Sequence, residues 1–293
     1  MLVAPLEQPT RRLVTRLIDA FIERGSCEFM AEFARPFPSL AFFELAISAP
    51  PEDVERVAQL ASKSSTPKDP DAAECWLGLY NWIKEFVARR RDEPPRGDVV
   101  DAILRAEIDG RPITEDEIIG TVQLLILGGL ETTASALGLM FYRFCTQPQI
   151  PALLRSRPDL LPVAVEELLR LDGPFIAIAR TAVRDGRIGT VPVHEGDKVL
   201  MYWASANRDE AEFARPDDFE LHRERNRHLA FGAGPHRCAG SNLARLNLRV
   251  ALEELLSRLG EFALAEGVEI EYQSTVTRSP LALPLRFSPG SRR

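Results

Sequence analysis

One segment limits the possible folds of this chain more than any other, because it predicts a helix much longer than most helices in globular proteins. The segment runs from Thr114 to about Cys145, repeats apolar residues at intervals of three and four, and is followed by Pro148. Thr114 and Glu117 have the spacing of a capping box, which marks a helix start. We expect this helix to lie at the centre of the fold.

The rest of the chain predicts a mainly α-helical protein with small β-sheets. Helical periodicity, broken by turn residues, occurs in five further stretches: 13–25, 51–62, 74–91, 98–110 and 243–260. Short alternating stretches predict a small sheet and a closing strand pair: 176–183, 186–193 and 197–205, then 268–287. The polar segment 207–228 lacks periodicity, and we interpret it as a long irregular segment of the kind that is often functional.

The composition fits a globular protein and excludes several classes of function. The chain has 293 residues, 45% hydrophobic and 27% charged, which fits one large domain or at most two. Its net charge of −7 gives no electrostatic attraction to nucleic acid or to an anionic membrane surface. No apolar run is long enough to span a bilayer, and the N-terminus lacks the features of a secretory signal, so we expect a cytoplasmic protein.

The four cysteines indicate neither a disulfide framework nor a zinc site. Cys27, Cys75, Cys145 and Cys238 lie far apart, and no two of them form a CxxC pair. The first three lie in apolar-periodic surroundings, which predicts small buried hydrophobic side chains. Cys238 has a different setting and needs its own explanation.

Cys238 lies in the segment FGAGPHRCAG (231–240), directly before a predicted helix. A thiolate is a strong ligand for iron, and the free N–H groups and dipole at a helix start stabilise its negative charge. Gly232, Gly234 and Gly240 allow the backbone to turn tightly and to approach a flat partner such as a planar cofactor. The pattern therefore favours iron ligation as one interpretation.

Two other interpretations of Cys238 stay open at this point. The residue could be a structural cysteine buried in a glycine turn, or a thiol nucleophile with His236 as its base. No loop of the kind that stabilises an oxyanion accompanies it.

A second unusual segment, GGLETT (128–133), lies inside the long predicted helix. Gly128 and Gly129 each cost roughly 1 kcal/mol relative to alanine in mid-helix, which asks for a reason such as close approach of a cofactor or dioxygen at a local opening of the helix. Glu131 and Thr132 would place a carboxylate and a hydroxyl there, suited to moving protons. A helix–helix crossing at small residues is the alternative.

Together these motifs resemble those of the cytochrome P-450 family. The segment FGAGPHRCAG is similar to the family's heme-binding loop, with Phe231, Gly234, Cys238 and Gly240 on its fixed positions. The resemblance implies a cytochrome P-450 fold, heme b as cofactor, and the Cys238 thiolate as the axial ligand of the heme iron.

The same resemblance implies roles for residues elsewhere in the chain. Glu131 and Thr132 match the acid and alcohol that pass protons on the oxygen side of the heme, and Arg180 and His236 match positions that bind its propionates. The remaining glycines of the two motifs are expected to border the cofactor: Gly128, Gly129 and Gly232.

The family also carries an E-x-x-R pair, a pattern that occurs here six times. The occurrences are Glu32/Arg35, Glu93/Arg96, Glu167/Arg170, Glu212/Arg215, Glu220/Arg223 and Glu224/Arg227. Only the third combines helical periodicity with a place between the long helix and the small sheet, and at i and i+3 its members share one helix face. The resemblance implies that Glu167 and Arg170 join Arg223 of the irregular segment and brace the thiolate loop.

The resemblance covers the whole chain but begins late in the family's order of motifs. It implies that residues 1–293 form a single, N-terminally truncated cytochrome P-450 domain, without the family's first quarter. The activity implied is that of a soluble bacterial monooxygenase, which uses O2, an apolar small-molecule substrate and electrons from a ferredoxin and ferredoxin reductase. Arg237, Arg245 and Arg249 could form a basic docking patch for the ferredoxin. The alternative is a non-catalytic remnant with weak or no heme binding.

Overall fold

The computed structural model describes residues 3–64, 69–274 and 277–293, and most of these residues are helical. The α-helices, in chain order, are α1 Glu7–Asp19, α2 Pro36–Leu40, α3 Pro51–Ser64, α4 Ala72–Asp92, α5 Val99–Leu104, α6 Glu115–Thr146, α7 Gln149–Ser156, α8 Leu161–Asp172, α9 Trp203–Ala206 and α10 Ser241–Arg258. Two π-helical segments, Met30–Ala34 and Ala41–Ala46, flank α2.

The strands are short and form small antiparallel sheets. They are β1 Ser26–Glu28, β2 Glu107–Ile108, β3 Arg111–Pro112, β4 Ile178–Thr181, β5 Gly186–Ile188, β6 Val191–Val193, β7 Lys198–Met201, β8 Phe262–Leu264, β9 Tyr272–Ser274, β10 Arg278–Pro280 and β11 Pro284–Phe287. Strand β11 lies between β1 and β8, and the other strands pair two by two: β2 with β3, β4 with β7, β5 with β6 and β9 with β10.

The long helix α6 is central, as its sequence predicts. Its start is the expected capping box, in which Thr114 Oγ1 accepts from the Glu117 N–H and the Glu117 carboxylate accepts from the Thr114 N–H. The C-terminal half of α6 packs into a hydrophobic core with α1, α8 and α10, and the N-terminal half packs into a second core with α3, α4 and α5. Helix α6 therefore joins both halves of the fold.

Helix α6 is long and apolar enough to cross a membrane by composition alone, but 61% of its most apolar window is buried inside the fold. A core helix of a water-soluble protein has the same length and composition. The burial therefore explains the apolar sequence of α6 without a bilayer.

The structure differs from the sequence prediction at several elements. The helix predicted at 98–110 ends at Leu104, because Asp109 and Gly110 adopt positive φ and turn the chain into the β2–β3 hairpin. The predicted small sheet is two separate strand pairs, and the predicted closing strand pair, which includes residues outside the described ones, is β9 with β10, followed by β11 in another sheet. Cys27 and Cys75 are buried as predicted, whereas Cys145 is only partly buried.

Candidate functional site

The loop before α10 presents the Cys238 side chain on the surface of the described protein. Cys238 is exposed, and its N–H donates to the Phe231 carbonyl at 2.8 Å, which closes the loop on itself. The Gly232 N–H donates to the Leu229 carbonyl at 2.9 Å in the turn that leads into the loop. Helix α10 begins three residues after the sulfur, at Ser241.

The three loop glycines differ in how strongly the backbone requires them. Gly232 and Gly234 have φ of +67° and +69°, a left-handed conformation that glycine adopts without strain. Gly240 has φ of −83°, so its backbone does not require glycine, contrary to the expectation from sequence. A Cβ at Gly240 would lie 3.9 Å from the Cys238 sulfur, in ordinary contact with it.

The Glu167 carboxylate is fully buried and joins α8 to the irregular segment. Glu167 Oε2 accepts from Arg170 Nε at 2.9 Å, and Oε1 accepts from Arg223 Nε at 2.8 Å. The Glu220 N–H and the Asn226 side-chain amide donate to the same carboxylate at 3.0 and 3.1 Å. Burial alone would raise the pKa of Glu167, but the hydrogen bonds from Arg170 and Arg223 hold it below its ordinary value. We call this cluster the Glu167 brace.

Burial separates this E-x-x-R pair from the others. The side chains of Glu167 and Arg170 are 0% exposed, whereas Glu93 and Arg96, which also form an ion pair, are 30% and 38% exposed. The structure thus brings together the three residues selected from sequence, and it adds Asn226, for which the sequence carried no signal.

The GGLETT segment lies in an unbroken stretch of α6, so the expected local opening of the helix is not present. Thr132 Oγ1 instead donates to the Gly128 carbonyl one turn earlier, at 2.8 Å. Apart from the backbone of α6 itself, no described atom lies within 4 Å of a Cβ placed at Gly128, and a Cβ at Gly129 would lie 3.8 Å from the Phe42 ring. The Gly128 face of α6 therefore borders open space in the described part of the chain.

Glu131 is partly buried beside this face, and Ser135 Oγ donates to its carboxylate at 3.3 Å. Burial raises the pKa of Glu131 above its ordinary value, and Arg35 and the Ser135 hydrogen bond offset only part of this effect. Glu131 and Arg35 both line a groove of about 570 Å³ between α2, α3 and α6. A carboxyl group with this environment is suited to carrying a proton.

The two residues expected to hold the cofactor's carboxylates lie at the surface. Arg180 is exposed on β4, and its guanidinium donates to the Ala179 carbonyl at 3.1 Å and to no other residue that the structure describes. His236 is exposed in the turn before Cys238. Among the described residues, no hydrogen bond joins the His236 imidazole to the Cys238 thiol and no carboxylate orients that ring. This arrangement lacks the oriented base that a cysteine nucleophile requires.

The predicted basic docking patch is largely neutralised within the fold. Arg245 forms a two-pronged ion pair with Glu166, and Arg249 pairs with Glu7 and Glu253. Arg237 alone of the three predicted residues has no ion pair in the portions of the chain that the structure describes.

The residues present fit a planar iron cofactor. A thiol, an imidazole and a guanidinium are all exposed at Cys238, His236 and Arg180, and they can provide an iron ligand and two partners for carboxylates. Positions Gly128 and Gly234 have free space where other residues would place a Cβ.

Comparison with known proteins gives the family. The family model for cytochrome P-450 matches residues 60–275. Nocardicin C N-oxygenase of Nocardia uniformis subsp. tsuyamanensis is 37% identical over 95% of this chain and 71% of its own length. Cyclomarin C epoxidase CymV of Salinispora arenicola is 31% identical over 97% of this chain and 74% of its own length.

Solved structures agree. The cytochrome P-450 PksS of the Bacillus subtilis 168 bacillaene polyketide synthase superimposes with a TM-score of 0.92 and 28% identity, over 98% of this chain and 75% of that one. The chain belongs to the cytochrome P-450 family, whose members are heme-thiolate monooxygenases with heme b as cofactor. The predicted family, fold class and cofactor are therefore confirmed, and the alternative of a non-catalytic remnant is not favoured.

Proposed function

We propose that this chain is a cytoplasmic heme-thiolate monooxygenase that transfers one atom of O2 to an apolar small molecule, with Cys238 as the ligand of the heme iron. The exposed thiol, in a loop closed by the hydrogen bond from Cys238 to Phe231, is the observation that carries the proposal. The names of the relatives, an N-oxygenase and an epoxidase, support oxygen transfer as the type of reaction.

The heme, when bound, supplies the activation of dioxygen, and the chain supplies the groups around it. The Thr132 hydroxyl donates a hydrogen bond to the Gly128 carbonyl in this structure, and it can rotate to donate to another acceptor. Glu131, which lines the groove between α2, α3 and α6, is the proposed carrier of the next proton, and burial raises its pKa above the ordinary value. Gly128 leaves free space on the same stretch of α6.

Arg180 and His236 bind the cofactor's propionates in this proposal. Both side chains are exposed, and neither is in an ion pair within residues 3–64, 69–274 and 277–293, so both are available to a carboxylate. The Glu167 brace holds the irregular segment that leads into the thiol loop, so it fixes the position of Cys238 indirectly.

Apolar side chains support the proposed class of substrate, and a positive charge that has no ion pair among the described residues supports the proposed class of electron donor. Leu124, 70% exposed on α6, and the partly buried Phe175 and Ile178 offer apolar contacts for the substrate. A ferredoxin with its reductase is the proposed donor. Because Arg245 and Arg249 are paired within the fold, Arg237 is the residue of the predicted patch that is left to attract an acidic partner.

The test uses the full chain with added hemin. After reduction, the carbon monoxide difference spectrum should show the red-shifted Soret band of a thiolate ligand. Cys238→Ser should abolish that band, and the matched control Cys145→Ser, at a partly buried cysteine, should retain it. A spectrum that is the same for Cys238→Ser and the unaltered chain would refute the proposal.

A further inference from the structure

Glu166 lies next to Glu167 in α8, but its carboxylate faces a different group of residues. Glu166 Oε1 accepts from Arg245 Nε and Oε2 accepts from Arg245 Nη2, both at 2.7 Å. The same Oε2 lies 3.0 Å from His228 Nε2. The Glu166 carboxylate therefore links α8 to α10 and to His228, which lies three residues before the thiol loop.

His228 has a hydrogen bond at each ring nitrogen. The Ala230 N–H donates to Nδ1 at 3.2 Å, and this bond selects the tautomer with its proton on Nε2. Nε2–H then donates to Glu166. The His228 side chain is 3% exposed, so it exchanges both hydrogen bonds for water only if the segment moves.

Arg245 connects this cluster to the thiol loop. The Arg245 guanidinium carbon lies 4.4 Å from the centre of the Phe231 ring, within the range of a cation–π contact, and the His228 ring centre lies 6.0 Å from the same ring. The Phe231 carbonyl, in turn, accepts the Cys238 N–H at 2.8 Å. The ring and the carbonyl of Phe231 thus link the ion cluster to the sulfur-bearing residue.

We propose that Glu166, His228 and Arg245 form a second brace, which positions Phe231 and, through its carbonyl, the backbone of Cys238. The Glu167 brace holds residues 220–226, upstream of the thiol loop. The second brace holds His228, before the loop, and Arg245, after the loop. These three are positioning residues, because the hydrogen bonds and ion pairs that the described chain gives them do not include the Cys238 side chain. The statement that the second brace positions an iron ligand rests on the proposed function. The statement that it orders the loop around Phe231 and Cys238 does not.

The second brace requires a planar guanidinium group, which donates two hydrogen bonds to Glu166 and stacks on the Phe231 ring. Lysine keeps the positive charge at position 245, but it cannot pair with both oxygens of Glu166 and lacks a planar group to stack on Phe231. Glu166→Gln keeps the shape of the side chain and removes its negative charge. Arg249 and Glu253, one turn further along α10, provide matched controls, since they form an ion pair of similar exposure that does not touch the loop.

The first experiment measures amide hydrogen exchange in the hemin-free chain by mass spectrometry. Glu166→Gln and Arg245→Lys should speed exchange in peptides covering residues 229–238 by about tenfold or more, because buried partners lose their hydrogen bonds. Peptides from α6 should not change, and neither should the loop in Glu253→Gln and Arg249→Lys. Loop exchange that is equal in all four variants would overturn the proposal.

The second experiment adds hemin and records the reduced carbon monoxide spectrum well below the unfolding temperature. The second-brace variants should show a smaller fraction of the thiolate-type band than the two controls at equal heme content. A loss of global stability alone would not change this fraction. If the unaltered chain gives no such band, the proposed function fails, and the exchange comparison still decides whether the second brace exists.

Discussion

The buried carboxylate of Glu167 leads to a quantitative prediction about stability. The substitution Glu167→Gln preserves the side-chain volume but removes the charge that faces two guanidinium groups, those of Arg170 (0% exposed) and Arg223 (6% exposed). Removing one partner of a buried ion pair costs about 3–5 kcal/mol, because the remaining charge is left uncompensated. This is a large part of the 5–15 kcal/mol by which a typical domain is stable.

The expected change in melting temperature follows from the size of the chain. With 293 residues, the entropy of unfolding is roughly 0.6 kcal/mol per kelvin, so a loss of about 4 kcal/mol lowers the Tm by about 6–7 °C. Urea unfolding and thermal unfolding followed by circular dichroism measure the two quantities.

The control is the same motif at the surface. Glu93→Gln removes the charge from an exposed E-x-x-R ion pair, which is worth at most about 1 kcal/mol. If Glu167→Gln and Glu93→Gln destabilise the chain equally, burial is not what gives the Glu167 brace its strength, and the reasoning is refuted.

Three further predictions concern the sites described above. Burial would raise the pKa of Glu166, but hydrogen bonds from His228 and Arg245 outweigh it and lower the pKa from 4.5 to about 2. The ionised carboxylate therefore contributes roughly 3 kcal/mol of stability above pH 4.5, and this contribution is lost as the pH falls toward 2. Glu166→Gln should weaken the pH dependence of the urea unfolding midpoint over that range. Thr132→Val should lower product formed per electron about tenfold or more, whereas Thr121→Val, with a similar bond inside α6, should not. Gly234→Ala should cost about 1–2 kcal/mol of stability, and Gly240→Ala much less.

Each of these predictions has a contrary result. An unchanged pH dependence in Glu166→Gln would mean that this carboxylate is not held ionised by its partners. If Thr132→Val and Thr121→Val form the same amount of product per electron consumed, the proposed role of the Thr132 hydroxyl is wrong. Equal unfolding free energies for the two glycine variants would contradict the strain expected at a φ of +69°.

Local signals made part of the fold predictable. The capping box and the apolar repeat located α6 to within a residue at each end, because both depend on neighbours in sequence. The β2–β3 hairpin was missed although Asp109 and Gly110 are a strong turn pair, since the apolar spacing before the turn continued the helical period as far as Ile108. The helical segment around Pro36 and Pro38 was missed because its prolines suggest a break, whereas the first of them begins α2.

Long-range pairing was not predictable from the sequence. The partner of Arg245 lies 79 residues away, so nothing near this arginine shows that its charge is already neutralised. Arg249 has one partner 242 residues away, Glu7, and one at the helical spacing of i and i+4, Glu253, which the sequence does display. The buried trio around Glu167 could be selected only because a family resemblance supplied the third member, Arg223. Exposure of Cys238, in contrast, agrees with the unusual glycine setting that the sequence displays.

The position of β11 affects how the chain is made. Strand β1, at residues 26–28, bonds to β11, at residues 284–287, and β8 bonds to the other edge of β11. On the ribosome, β1 is synthesised more than 250 residues before this partner and must stay without it until residues 284–287 emerge. Strand β1 is therefore among the last of the described strands to pair, and a chain that ended before residue 284 would leave β1 without this partner.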